Sequence, residues 1–304
     1  MFSKIKEISL VSALVFSLGG CSNTDEDKNK VINVGFVPSE NIEEVTKNAQ
    51  PLVEILSKAL GKEVKPFIAT DYTGIVEAFR AKKLDIAFLT PAAYVMANNE
   101  AGVKVALKAE RGGKSVFYSA IITRKDSGIN KIEDFKDKTF SFGDVLSTSG
   151  HIFPKKIFLD HNIDPKVAFK NVVYSGGHDA TVLAVLNKKV DGGATFCNDD
   201  KGEDGAWNQF LKKEEADQIK AIAFSDPIPA DNICISKDLP NELSAKFVKA
   251  FVDLGKDPAG KKLIQKLYRI DGFVPATDKD YEPVRDAFKV AGIDIQSELS
   301  KSKK

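Results

Sequence analysis

Val31-Ile32-Asn33-Val34-Gly35-Phe36-Val37 is an apolar run of strand length, closed by the turn Pro38-Ser39-Glu40-Asn41. Ile42, Val45, Ala49, Leu52, Leu56 and Leu60 then recur at helical spacing. Pro51 falls inside that pattern, so the spacing predicts a kink there or a helix restarting with Pro51 in its first turn. Residues 64–69 read as a second strand, and Asp71 is placed to cap a helix through Ile75, Val76 and Phe79. Leu84-Asp85-Ile86-Ala87-Phe88-Leu89 is a third strand, after which Thr90-Pro91 opens a helix. This strand–helix alternation predicts an α/β chain with parallel sheets covered by helices.

Outward from this stretch the same pattern continues. Residues 103–109 and 116–124 complete a first unit. A second unit follows, with strands at 139–143, 171–175 and 192–196 and helices at 131–135, 150–160 and 179–186. Residues 219–224 and 232–236 lead back to the first unit, and 241–293 reads as mostly helical, with turns near Asp257-Pro258 and Asp271-Gly272. A chain that leaves one unit, builds another and returns implies two lobes with a cleft between them. The expected division is 31–120 with 227–304 as lobe 1 and 121–226 as lobe 2. The crossings near 118–122 and 225–232 form the hinge.

The chain has 304 residues, 43% hydrophobic and 29% charged, which is a globular composition long enough for two domains. Its 44 basic and 43 acidic residues nearly cancel, which excludes a strongly basic nucleic-acid binder. Three cysteines are too few for a disulfide scaffold. Cys197 and Cys234 are compatible with one bridge or with two free thiols.

The first 20 residues read as an address. Lys4 and Lys6 precede a short apolar core, residues 8–18, of secretory-signal length rather than the ~20 apolar residues of a membrane span. The core ends in Leu18-Gly19-Gly20-Cys21, which resembles a bacterial lipobox, so residues 1–20 are expected to be a lipoprotein signal and Cys21 the lipidated residue. The plainer alternative is a secreted protein cut near Gly20. Polar residues 21–30 suit a tether. The expected location is the cell envelope, outside the cytoplasm, with a lipid anchor in a membrane.

Open α/β sheets bind ligands beyond the carboxyl ends of their strands, so the informative residues are those just after strands. Ser147-Thr148-Ser149-Gly150 follows a strand and opens an apolar helix. Three hydroxyls and unpaired backbone N–H groups at a helix start make an anion site, although a plain Ser/Thr cap has the same residue types. His178-Asp179 follows Gly176-Gly177. His178 offers a donor, and Asp179 is expected to cap the next helix. Tyr72 offers a phenol at the second strand–helix junction. Asp231 lies where the chain recrosses, and a carboxylate there favours a ligand that brings a proton or N–H to donate. An enzymatic reading lacks its parts. The three histidines, His151, His161 and His178, have no metal-ligand spacing, and there is no G-x-S-x-G elbow or P-loop. Nothing orders Ser147, His178 and an aspartate into a triad. No cofactor is expected.

From Asn33 to about Asp231 the chain resembles the phosphate/phosphite/phosphonate-binding proteins of bacterial ABC transporters. The matching segments begin with Val37-Pro38-Ser39-Glu40-Asn41, Thr70-Asp71-Tyr72, Leu84-Asp85-Ile86-Ala87-Phe88 and Arg124-Lys125-Asp126-Ser127-Gly128-Ile129. The most specific are Ser147-Thr148-Ser149-Gly150 with Pro154, Gly177-His178-Asp179 and Ile228-Pro229-Ala230-Asp231-Asn232. The resemblance implies a two-lobed type 2 periplasmic-binding-protein fold with the ligand in the cleft. It implies a tyrosine contact at Tyr72, a hydroxyl-and-amide cradle at Ser147, Thr148 and Ser149, a histidine donor at His178 and a carboxylate at Asp231. Two positions depart from the family pattern. Leu89 stands where phosphonate-type members can have a tyrosine, and Phe196-Cys197-Asn198-Asp199 where they can have a glutamate. Tyr94 is expected to line the cleft instead. Without the glutamate, a small oxyanion (phosphite, methylphosphonate or phosphate) is favoured over 2-aminoethylphosphonate, with Asp199 still in reach of an amine.

The implied role is capture by lobe closure and delivery to an ABC permease and its ATPase. A receptor of the same fold serving a membrane sensor kinase is the alternative, and a secreted hydrolase is a second rival.

Overall fold

A computed structural model describes residues 31–293; the expected signal, Cys21 and tether lie outside the described residues. Twelve strands among the described residues form two sheets. The first contains β1 (Ile32–Phe36), β2 (Val64–Ile68), β3 (Ile86–Leu89), β4 (Lys104–Glu110), β11 (Asn232–Ile235) and β12 (Gly272–Pro275), in the order β12-β4-β11-β3-β1-β2. The second is built on β5 (Val116–Arg124), with β6 (Thr139–Phe142), β7 (Asn171–Tyr174), β8 (Gly192–Cys197), β9 (Ile219–Phe224) and β10 (Ile228–Pro229). Its order is β10-β5-β8-β6-β7, and β9 pairs with the far end of β5.

β1 lies between β2 and β3, parallel to both, and its apolar residues are buried, as its unbroken hydrophobic run predicts. One face of the helix Ile42–Leu60 packs on this sheet through Val45, Ala49, Leu52, Val53, Leu56 and Leu60. Ile42 only opens the helix and stays exposed. The helix runs unbroken through Pro51, which is half-buried, so no restart occurs there. Asp71 does cap its helix, Tyr72–Arg80, with Oδ1 accepting from the Gly74 N–H at 2.7 Å.

The sheets are mixed rather than parallel. β11 is antiparallel to both β3 and β4, and β12 is antiparallel to β4. β5 is antiparallel to β8, β9 and β10. The antiparallel strands are those added when the chain crosses or returns, where no covering helix imposes a parallel crossover. Two expectations change as a result. β5, read as completing the first lobe, belongs to the second sheet, so the expected boundary at residue 120 falls inside a strand. Residues 272–275, inside a stretch read as mostly helical with a turn near Asp271-Gly272, form an edge strand. An apolar run reveals a strand but not its partner, which is why neither could be placed from sequence.

Behind the cleft one apolar cluster spans both sheets. Tyr72, Ile75 and Val76 from the first lobe meet Phe117, Leu146, Ile152, Phe153 and Ile228 from the second. Val284, Ala287 and Phe288, from the C-terminal helix Glu282–Val290, close the same cluster. Cys197 and Cys234 are both buried and free, one in each sheet. No helix among the described residues is long and apolar enough to cross a membrane.

Candidate functional site

The carboxyl ends of β3, β6, β7 and β8 and the return at Asp231 open into one cleft, with about 760 Å³ of empty space including the part open to solvent. Ser147, Thr148, Ser149, His178 and Asp231 all line it. Five residues from three separate stretches of sequence therefore share a cavity.

The cradle is a helix start with an unusual first turn. Ser147 caps it, its Oγ accepting from the Gly150 N–H at 3.0 Å. Residues 148–152 form one π turn before the α-helix Phe153–Asp160. Pro154 has no N–H to offer the Gly150 carbonyl four residues back. That carbonyl instead accepts from the Gly143 N–H at 2.9 Å, tying the helix start to the end of β6. A Cβ on Gly150 would lie 2.7 Å from Ser147 Oγ and 3.2 Å from the Gly143 Cα, so this close approach requires glycine. The Ser149 carbonyl is held by Ser119 Oγ at 2.7 Å. Thr148 Oγ1 accepts from the Ala92 N–H at 2.9 Å, at the start of the first-lobe helix Pro91–Ala101. Because a hydroxyl both accepts and donates, the Thr148 proton remains available to a ligand. Two further bonds cross between the lobes nearby. Asp144 takes the Tyr72 N–H at 3.4 Å, and Ser39 supplies a carbonyl to the His178 N–H at 3.2 Å.

His178 is buried, with its ring edge-on to Phe196 at 5.0 Å and Nδ1 3.0 Å from Thr195 Oγ1. Burial lowers its pKa to about 4, so at neutral pH the ring is uncharged. In the tautomer in which the Thr195 hydroxyl donates to Nδ1, Nε2 carries the proton and is a donor. The helix begins at His178 itself behind Gly177, so Asp179 sits in its first turn and does not cap it.

Tyr72 is buried in the shared cluster, and its ring is not part of the cleft lining. Its hydroxyl has no hydrogen-bond partner among the described residues. Burial, then the nearby Asp144 and Asp231, push its pKa well above the ordinary phenol value. Tyr94, expected to line the cleft, does not. It is fully buried, donates to Asp278 Oδ1 at 2.5 Å and stacks edge-on against Tyr281. One turn into its helix, it faces the C-terminal segment rather than the cavity. Asp199 is also spent elsewhere. Its carboxylate accepts from the Lys201, Glu203 and Asp204 N–H groups in its own loop, and Asn198 lines the cleft in its place.

The sequence reading missed the cleft's cations. Arg111, at the end of β4, donates to Asp231 Oδ2 at 2.8 Å and to the Tyr268 carbonyl at 3.1 Å. Arg269 donates to both Glu40 oxygens, at 3.2 and 3.4 Å. Burial raises the Glu40 pKa, and Arg269 opposes that shift. The one sequence signal for Arg111 is its position before Gly112-Gly113 at a strand end. Arg269 has none, since it occupies a left-handed helix end where glycine is the usual residue. Both carboxylates of the lining are thus matched by arginines, and the rest of the site offers hydroxyls, backbone amides and a neutral imidazole, groups that can donate to an anion. Among the described residues no group of three or more histidine, cysteine, aspartate or glutamate residues is placed to hold a metal ion.

A family model described as the periplasmic substrate-binding protein of phosphonate ABC transporters matches residues 34–281. The chain is 32% identical over 270 residues to the phosphonates-binding periplasmic protein of Escherichia coli K12, covering 86% of this chain and 76% of that one. It is 30% identical over 296 residues to the phosphate-import protein PhnD of Mycolicibacterium smegmatis, covering 89% of each. The crystal structure of the binding component of a phosphonate ABC transporter from Pseudomonas aeruginosa superimposes with a TM-score of 0.78, at 29% identity and 87% coverage of both chains.

Proposed function

The chain belongs to the phosphonate family of ABC-transporter periplasmic substrate-binding proteins, and from that premise we propose that it captures a small phosphorus oxyanion in this cleft. Phosphite, a phosphonate or phosphate is the cargo. The observation that carries the proposal is the meeting of Ser147, Thr148, Ser149 and His178 in one cavity beneath residues of the other lobe. Neutral donors suit a ligand that changes its protonation near neutral pH, because they hold it without requiring a fixed countercharge. Helix-start amides add a favourable dipole, roughly 0.3–1 kcal/mol when exposed and more when desolvated.

The ligand is gripped only when both lobes reach it, so binding shifts the population toward the closed form. That form docks on the permease, whose ATPase drives uptake. Lipid on Cys21, with residues 21–30 as tether, holds the protein at the membrane outside the cytoplasm. The protein releases its ligand unaltered. Within the described residues the lobes divide at the crossings around β5 and β10.

Titration calorimetry with phosphite, methylphosphonate and phosphate tests the reading. At least one is expected to bind, and the double variant Ser147→Ala/Thr148→Ala is expected to abolish binding while remaining folded. Unchanged affinity in that variant removes the cradle from the account.

A further inference from the structure

The cleft is also lined by Glu40, Arg269, Asn198 and Gln209. Here the parts are those of a cation site. Glu40 supplies a largely buried carboxylate. The Oε1 of Gln209 is buried with no hydrogen-bond partner among the described residues, while its Nε2 donates to Asp204 at 2.9 Å. That bond fixes the amide's orientation, because a carboxylate can only accept. Phe210 supplies an aromatic face. The guanidinium of Arg269 already occupies this site. It bonds Glu40 and lies 4.9 Å above the centre of the Phe210 ring, reaching from the first lobe to the helix Ala206–Phe210 of the second.

We infer that Arg269 determines specificity in this cleft by filling, with the protein's own cation, the place where a cationic substituent of the ligand would sit. The inference rests on the phosphorus-oxyanion reading and names the substituents it admits: neutral ones, to the exclusion of aminoalkyl groups. The rest of the cleft agrees. Asp231 is matched by Arg111, and Asp199 is bound to its own loop, so neither carboxylate is left for an ammonium group. An incoming ammonium would lose its hydration, meet no unpaired carboxylate and face Arg269. Removing the Arg269 side chain frees the Glu40 carboxylate and the face of the Phe210 ring, the two groups it now holds, and these are the partners an ammonium group needs.

The position suits the experiment. Arg269 has φ 54° and ψ 34°, a conformation glycine adopts without strain, so Arg269→Gly keeps the backbone. The probes are 2-aminoethylphosphonate and propylphosphonate, which share a shape and differ in the terminal charge, with methylphosphonate, phosphite and phosphate as references. By calorimetry the natural protein is expected to bind propylphosphonate at least as tightly as 2-aminoethylphosphonate. Arg269→Gly is expected to shift that ratio at least tenfold toward the amine, and Arg269→Ala to do the same if the glycine variant does not fold. Adding Glu40→Gln is expected to cancel the shift, which a merely structural Arg269 would not produce. A ratio unchanged in both variants, or a natural protein that prefers the amine, overturns the inference. So does binding of a reference compound with neither tailed compound detectable in any variant, and in that case the oxyanion reading survives. If none of the five compounds binds, the oxyanion reading falls and takes this inference with it.

Discussion

Replacing Tyr72 by phenylalanine is expected to move stability and affinity in opposite directions. Tyr72 is 1% exposed, and its hydroxyl has no hydrogen-bond partner among the described residues. An unsatisfied buried hydroxyl costs about 1–3 kcal/mol. Phenylalanine keeps the ring against Ile75 and Val76, so no cavity of consequence forms and that cost is removed. For a chain of this size roughly 1 kcal/mol corresponds to about 2–4 °C, so the ligand-free melting temperature is expected to rise by a few degrees. If the hydroxyl donates to a ligand oxyanion once the lobes close, the variant also loses a charge-assisted bond worth about 1.5–3 kcal/mol. At about 1.4 kcal/mol per tenfold, that is a loss of roughly 10- to 150-fold in affinity. Thermal melting without ligand and calorimetry with the tightest phosphorus ligand measure the two effects. Unchanged affinity would make Tyr72 a packing residue only. A lowered ligand-free melting temperature would mean that the hydroxyl is already bonded, and the reasoning would fail.

Ser147→Ala removes the cap on Gly150 and is expected to cost about 1 kcal/mol in chemical denaturation, in addition to weakening binding; a variant as stable as the natural protein would show that Gly150 does not depend on that oxygen. His178 has a folded pKa of about 4, below its ordinary 6.5, so it contributes stability above pH 6.5 that is lost as pH falls toward 4. Its ring resonances are therefore expected to stay constant between about pH 5.5 and 8, and a midpoint near 6.5 would place the ring in solvent.

Much of the cradle was legible from the chain alone because its parts are local. A hydroxyl run between a strand and a helix is a cap wherever it folds, and Gly150 and Pro154 set the geometry of that turn within a few residues. His178 was legible for a similar reason, as a donor just after a strand. The failures were of orientation and partnership. Tyr94 and Asp199 lie a few residues from the cleft, but the pitch of a helix and the closure of a loop turned them away. Asp179 was one residue too late to be a cap, since the helix begins at His178. Glu40 was visible as a turn residue, and nothing in its neighbourhood announces Arg269, 229 residues away.

Strand and helix content, the alternation that builds two lobes, and the anion-binding residue types come from periodicity and from chemistry that acts over a few residues, and these the chain determines by itself. The placement of β5 in the second sheet, the mixed strand directions and the pairing of both cleft carboxylates with arginines were decided by tertiary structure alone. Each depends on which distant segment an edge or a charge meets, and that choice is made by the packing of the whole core rather than by any local sequence.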